Sequence, residues 1–583
     1  MAWLSESPSS RAWIESLCRN MRLGEPWPEI LSLAMEIEGH FRHLSVHCGG
    51  LVIVADEIRK HVPVEKAANG LPVLQWEKEQ VEEAGLIKID LLGNRSLSVI
   101  RDVLAAIKAN YGKILEYQNW DPLTDEATKE LIRSGQTIGC FNIESPAVRL
   151  LLRKLWLRMP PARRAALDVF EYLIMVSSLV RPAAISFVPE FIRRAHVGKA
   201  DPPHPGLREI LEPTHGIMLY QEDVTRVAIS LAGFSLEQAD QLRKALNKRR
   251  KAKELKTHWE DFYRGARQNN VPPATIEQVW TMILSFAGYS FCKAHSASYA
   301  QVSFKCAYLK AHYPAEFMAA VISNEGGYYP TLAYISEARR MGLEVKLPDI
   351  NESLWSYTGN GRSLRVGFMQ IRGIKKASVD KLVAERNSSG PFRSFGDFWL
   401  RNDPELAHVK LLIKAGCFDS IGQGLSRPGM LWRAYAYAKG ENPADLPNPK
   451  EYSREEKLAQ EIECFGFALS CHPIDLYPMG PGADVIQAAE MHKHIGKRVK
   501  ILGWLIGEKL TQTRKGDPME FVTFEDTSAI YEATFFPDSY RNLWHLLTPN
   551  HLFLIEGVVE EEFGAVTLNV KGLKRLDLAH ESC

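Results

Sequence analysis

Phe286-Ala-Gly-Tyr-Ser-Phe-Cys-Lys-Ala-His-Ser-Ala-Ser-Tyr-Ala300 runs straight into an amphipathic stretch ending Tyr308-Leu-Lys-Ala-His-Tyr-Pro-Ala-Glu-Phe317. One flexible glycine, stackable aromatics, a lysine, a histidine and several hydroxyls thus gather in a turn that opens a helix. Backbone N–H groups at a helix start attract anions, Lys293 adds a point charge, and Tyr289 or Phe291 can face a planar ring. That inventory suits the grip of a nucleoside triphosphate. A turn leading into a core helix with a buried histidine accounts for the same residues, so chemistry alone leaves both readings open.

Working outward, 583 residues correspond to roughly three to five domains. Hydrophobic residues at 45% and charged residues at 24% are ordinary for globular material. A net charge of +1 exerts no global pull on nucleic acid, so any such binding must come from local patches. The nine cysteines form no C-x-x-C pair, and Cys464, Cys471 and His472 lack zinc-ligand spacing. Dispersed thiols, no apolar run of about 20 residues and no charged n-region before an apolar run predict a cytoplasmic protein without a membrane span.

Periodicity divides the chain. Residues 1–45 read as short helices. Ser45-Val-His-Cys-Gly-Gly-Leu-Val-Ile-Val-Ala55 reads as a turn into a buried strand, and Gly85-Leu-Ile-Lys-Ile-Asp-Leu-Leu-Gly93 as a second strand before a helix at 96–109. From about 98 to 345 the pattern is almost wholly helical. Short helices surround Ile371-Arg-Gly-Ile-Lys375, and the Gly-, Pro- and Asn-rich stretch 421–452 reads as linker. Beyond 488 the period switches to two: five strand runs in under 100 residues predict a small barrel of the OB type.

Several segments together resemble the bacterial DNA polymerase III alpha subunit, the C family of DNA polymerases. Phe286-Ala-Gly-Tyr with Lys293-Ala-His-Ser is similar to its fingers. Gly139-Cys-Phe-Asn-Ile-Glu-Ser145, Arg181-Pro182, Gly216-Ile-Met-Leu-Tyr-Gln-Glu-Asp-Val224 and Leu231–Lys244 follow the same family. Gly85–Gly93 resembles its second palm strand, and His47-Cys-Gly-Gly50 the turn before the first. Ile371–Leu382 resembles its helix-hairpin-helix.

The resemblance implies a multidomain α+β chain covering the C-terminal half of the family. Its parts are the end of a thumb (1–45), the second half of a palm (46–97), helical fingers (98–364), a helix-hairpin-helix region (365–420), linker and connecting helices (421–487) and an OB fold (488–583). The implied activity is DNA-directed DNA synthesis from dNTPs on a primer–template by two-metal phosphoryl transfer. Asp90 is then the metal ligand, with Lys88 on the same strand face, and Arg181, Tyr289, Lys293, His295 and Ser296 bind nucleotide. DNA falls to His47, to Lys248, Arg249, Arg250 and Lys251, and to Arg372, Gly373 and Lys375. Eight basic residues against one glutamate between Arg243 and Lys256 suit phosphate tracking. In the barrel, Trp504, Phe521, Phe524 and Phe535 are candidates to stack on bases, with about half of them expected in the core.

Two magnesium ions need bridging carboxylates. The family's Asp-x-Asp pair is missing from this sequence, and Asp56 is the only aspartate before Asp90. One Mg2+ ligand therefore comes from this chain, and the resemblance implies an N-terminal polymerase half acting in trans. A non-catalytic DNA-binding adaptor and a truncated gene product are the alternatives. Asn442-Pro-Ala-Asp-Leu-Pro447 lacks the glutamine and terminal aromatic of a sliding-clamp peptide.

Overall fold

The computed structural model describes residues 24–37, 40, 46–47, 49–67, 70–91, 93–180, 187–198, 202–247, 252–286, 292–477, 484–513, 515–549 and 551–576. Arg181, Lys248, Arg249, Arg250, Lys251 and Tyr289 lie outside the described residues, as do residues 1–23 of the expected thumb. The chain forms two compact units, Met1–Arg95 and Ser96–Cys583.

The first unit contains the helix Trp27–Ile37, a ladder of Gly50–Val52 against Lys88–Asp90, and a hairpin of Val64–Lys66 against Pro72–Leu74. Both pairings are antiparallel. Leu51-Val-Ile-Val54 predicted a buried strand, but the strand stops at Val52, and Leu51 and Ile53 are 49% and 67% exposed. A buried strand needs layers on both faces, and a two-stranded ribbon supplies neither. Val62 and Val81 are the buried apolar side chains among the described residues of this unit.

The second unit begins as a helical body. Within the helical stretch expected from about 98 to 345, Tyr313 and Pro314 separate Lys293–His312 from Pro314–Ser323, because proline fits a first helical turn but cannot continue one. Earlier in it lie Gln221–Ala232, Leu236–Asn247 and Ala252–Gln268. These pack with Pro273–Leu284 around a core of their own that includes Leu231, Leu242, Phe262, Val279 and Ile283. The larger core runs from Val99 through Trp156, Phe304 and Phe317 to Phe398 and Phe418. The stretch read as linker departs from expectation: Arg427–Ala438 is a helix whose Met430 and Ala434 join that core. Its glycines and prolines punctuate the ends of the helix and leave its apolar face intact.

Five strands, Arg498–Gln512, Pro518–Glu525, Ile530–Phe535, Leu552–Glu562 and Ala565–Leu576, close into a barrel. In that chain order, the third strand pairs parallel with the fifth and the other pairings are antiparallel. Bulges at Glu556/Gly557 and Leu505/Gly507 let the long strands bend. The helix Pro537–Leu543, between the third and fourth strands in chain order, packs on the second, third and fifth. This is the OB-type barrel predicted from the period-two runs.

A line of buried charge joins body and barrel. Lys310 Nζ donates to Gln136 O at 2.8 Å, Ile138 O at 3.0 Å and Glu337 Oε1 at 2.7 Å, with 1% of its side chain exposed. Arg340 then meets Glu337 at 3.3 Å and barrel Glu525 at 3.0 Å. Burial alone would raise the Glu337 carboxyl, but Lys310 and Arg340 hold it down at about 2. Removing one member leaves a buried charge uncompensated. Lys310→Met is therefore expected to cost about 3–5 kcal/mol in a denaturant melt. Because the folded carboxyl is depressed, its contribution is present above the unfolded value of 4.5 and is lost as pH falls toward 2. The Glu337→Gln chain is expected to lack that component of the acid-unfolding curve.

Candidate functional site

In the first unit, Asp90 ends the strand Lys88–Asp90 and pairs in register with Gly50. Residues two apart share a strand face, and Lys88 Nζ lies 2.7 Å from Asp90 Oδ1. The ammonium holds the Asp90 carboxyl below its ordinary range, the hydrogen bond being the main cause. The Asp90 side chain is 47% exposed and that of Lys88 is 14% exposed. Glycine at 50 makes the arrangement possible, since a Cβ there would sit 2.7 Å from Lys88 Cε and 2.9 Å from His47 Nδ1. The His47 ring closes the turn, its Nδ1 accepting from Gly49 N at 3.1 Å and Gly50 N at 2.6 Å.

Does this strand hold a two-metal centre by itself? Among the described residues no group of three His, Cys, Asp or Glu side chains is placed to hold an ion. Asp90 is a single carboxylate already paired with a lysine, so the described residues do not on their own fit such a centre.

In the second unit, Lys293 is the first residue of the helix Lys293–His312 and opens on a cavity of about 560 Å³. Glu171, from the helix Val169–Leu179, takes its Nζ at 3.1 Å. Glu222, from the helix Gln221–Ala232, accepts its backbone N–H at 3.3 Å. The Lys293 ammonium also lies 5.8 Å from the centre of the Tyr220 ring, and exposed Arg226 lines the same cavity. Carboxylates thus stand against the two features, a lysine and a helix start, that suit an anionic ligand. Asp223 sits beneath them, accepting from Leu219 N at 3.0 Å and Tyr220 N at 2.8 Å. Burial nonetheless pushes its carboxyl up to about 6.

His295 is half-buried, its ring 4.1 Å from that of Tyr299 and its N–H donating to Cys292 Sγ at 3.4 Å. Ser296 departs from expectation. It is 2% exposed and its hydroxyl meets that of Ser178 at 2.9 Å, because the i+3 position from Lys293 turns toward the helix Val169–Leu179. The motif at 139–145 buttresses the helix Lys293–His312: Phe141 O accepts from Ser303 Oγ at 2.8 Å and the Phe141 ring packs on Tyr299. Glu171, Glu222 and Arg226 were given no role from sequence, although Glu222 lies inside the quoted 216–224 segment.

Further along, Arg372, Gly373 and Lys375 are exposed in the turn that opens the helix Lys376–Ser389. Gly373 has φ +82°, a conformation that favours glycine. Lys375 is the N-cap and makes no side-chain cap, while its ammonium meets Glu405 at 3.3 Å. On the barrel, Phe521 is 45% exposed, whereas Trp504, Phe524 and Phe535 are buried, the last two inside the barrel. Alternation along the strands thus turned half of these rings into the barrel, as expected, and Trp504 is buried on the outside against the core of the helical body.

Three family models match in the order of these features. "Bacterial DNA polymerase III alpha NTPase domain" matches residues 12–93, "Bacterial DNA polymerase III alpha subunit finger domain" 96–270, and "Helix-hairpin-helix motif" 342–427. This chain belongs to the bacterial DNA polymerase III alpha-subunit family. DNA polymerase III subunit alpha of Thermus aquaticus is 32% identical, with 94% of this chain and 46% of the relative covered. For the same subunit of Saccharopolyspora erythraea the figures are 30%, 94% and 49%, and for that of Staphylococcus aureus 32%, 93% and 51%. The chain thus spans about half the length of the curated relatives it matches. Among the described residues, no helix is long and apolar enough to cross a membrane.

The exposed hairpin carries two cations, and the expectation from sequence that they meet duplex phosphate is testable. Arg372→Ala and Lys375→Ala are each expected to weaken duplex binding similarly across sequences. Each should also lower the slope of log affinity against log salt by about one. Fluorescence anisotropy with a labelled primer–template over a salt series measures both quantities.

Proposed function

We propose that this chain supplies the nucleotide- and DNA-handling part of a DNA-directed DNA polymerase. In that reaction a primer 3′-hydroxyl attacks the α-phosphate of a dNTP and pyrophosphate leaves. The observation that carries the reading is the Lys293 cavity, where a lysine, a helix start and Arg226 converge and carboxylates stand in for an anion. Incoming phosphates displace Glu171 and Glu222 from Lys293 and its N–H, and His295, backed by Tyr299, faces the sugar. Arg181 and Tyr289 belong to the same reading on sequence grounds. The duplex rests on the hairpin Arg372–Lys375, with the basic run 248–251 tracking its backbone.

Asp90 contributes one carboxylate toward a magnesium centre, and a second polypeptide carrying the Asp-x-Asp strand contributes the others. The ladder supports such a partner. Leu51 and Ile89 pair across it on the face opposite Lys88 and Asp90, and they are 49% and 40% exposed. Two strands with an open apolar face are short of a stable sheet, and further palm strands cover that face.

The ion pairs favour a second reading. With Lys88 on Asp90 and Lys293 on Glu171, the chain also suits a DNA-binding adaptor that never takes up a nucleotide. Titration of dNTP onto the chain with primer–template separates the two. Lys293→Ala is expected to weaken dNTP binding roughly tenfold or more, whereas Glu171→Gln and Glu222→Gln strengthen it by freeing the lysine and the helix start. Asp90→Asn leaves that affinity in place and lowers primer extension by the complemented assembly on the order of 100-fold. Identical dNTP affinity in all the cavity variants would leave only the adaptor.

A further inference from the structure

Far along the chain from Lys293, the helix Thr331–Arg340, the segment 470–475 and barrel residue Thr527 enclose a cleft of about 410 Å³. Ser336, Arg339 and Arg340 stand at positions i, i+3 and i+4 of one helix, so they share a face, and all three line the cleft. Exposed Arg454 lines it as well. Against these three guanidinium groups the lining holds one carboxylate, Asp475, whose Oδ2 accepts from His472 N at 3.0 Å.

The donors there are fixed but incompletely used. Arg339 Nη2 donates to Leu469 O, and Arg340 spends Nε on Glu337 at 3.3 Å and Nη1 on Glu525 at 3.0 Å. Arg339 Nη1, Arg340 Nη2 and Ser336 Oγ are buried and have no hydrogen-bond partner among the described residues, and Ser336 is 3% exposed. His472 Nδ1 accepts from Ile474 N at 3.2 Å, and its Nε2 lies 3.5 Å from Glu525 Oε1. Orphaned buried donors cost free energy, and two guanidinium groups held by carbonyl and carboxylates form a rigid fork for tetrahedral oxyanions.

We propose that this cleft is a binding site for a phosphate-class dianion, seated on Ser336, Arg339 and Arg340 with Arg454 closing over it. Inorganic phosphate and a phosphate group carried on a nucleic-acid strand present the same chemistry to it. The site is separate from the Lys293 cavity and stands whether or not that cavity takes a nucleotide.

Isothermal titration of the full chain with inorganic phosphate, at ionic strength held constant with chloride, tests it. Saturable binding is expected, accompanied by a rise in melting temperature that chloride does not reproduce. Arg339→Gln and Ser336→Ala weaken the binding, the arginine change roughly tenfold or more. Arg454→Gln at the exposed edge does so without touching buried structure, and its unchanged melt without phosphate separates lost binding from lost folding. Competition with a 5′-phosphorylated oligonucleotide, absent with the unphosphorylated one, assigns the group to a strand; competition by neither assigns it to the free anion. No saturable binding beyond chloride, or equal binding by all three variants, overturns the site.

Discussion

Lys310 carries its ammonium into a region from which water is excluded, and the second unit is arranged around keeping it there. Two backbone carbonyls from the 136–138 turn and one carboxylate from the helix Thr331–Arg340 surround it. The same carboxylate engages Arg340, whose guanidinium passes the constraint on to Glu525 of the barrel. Such a line tolerates no slippage, because a shift of either helix strands a charge where solvation is costly. It sets the long helix Lys293–His312 against its neighbours, and so sets where Lys293 emerges at the other end.

The two ends of that helix face opposite demands. At Lys310 every donor is consumed by the protein, which gives rigidity. At Lys293 the ammonium is about half exposed and held by one carboxylate, Glu171, that is itself accessible. An ion pair open to water contributes little to stability and exchanges readily for a better anion. Rigid placement with replaceable partners is what the binding role proposed for Lys293 requires, and the fold provides both along one helix.

The Ser336–Arg339–Arg340 face lies on the next link of the same chain of charge. Arg340 reaches Glu337 and Glu525 and still has a nitrogen left toward the cleft. Structural anchoring and donor surplus therefore coincide in one guanidinium group, with five N–H donors in a fixed fork. A lysine there could not serve both directions.

Much of the architecture was legible from local pattern. Period-two runs marked the five barrel strands, and the turn chemistry at Ile371–Lys375 marked the hairpin, since both depend on residues within a few positions of each other. The quoted motifs likewise carried family membership, because they are short and contiguous. Which side of an element meets solvent was not legible. Ser296 lies three residues from Lys293, yet it is buried against Ser178, and Trp504 on the outer face of the barrel is buried against the helical body while Phe521 stayed exposed. Glu222 came to Lys293 from 71 positions away. Helix and strand periods are written within a window of the sequence, whereas exposure, pairing and the chemistry of a site depend on neighbours that only the packed chain brings together.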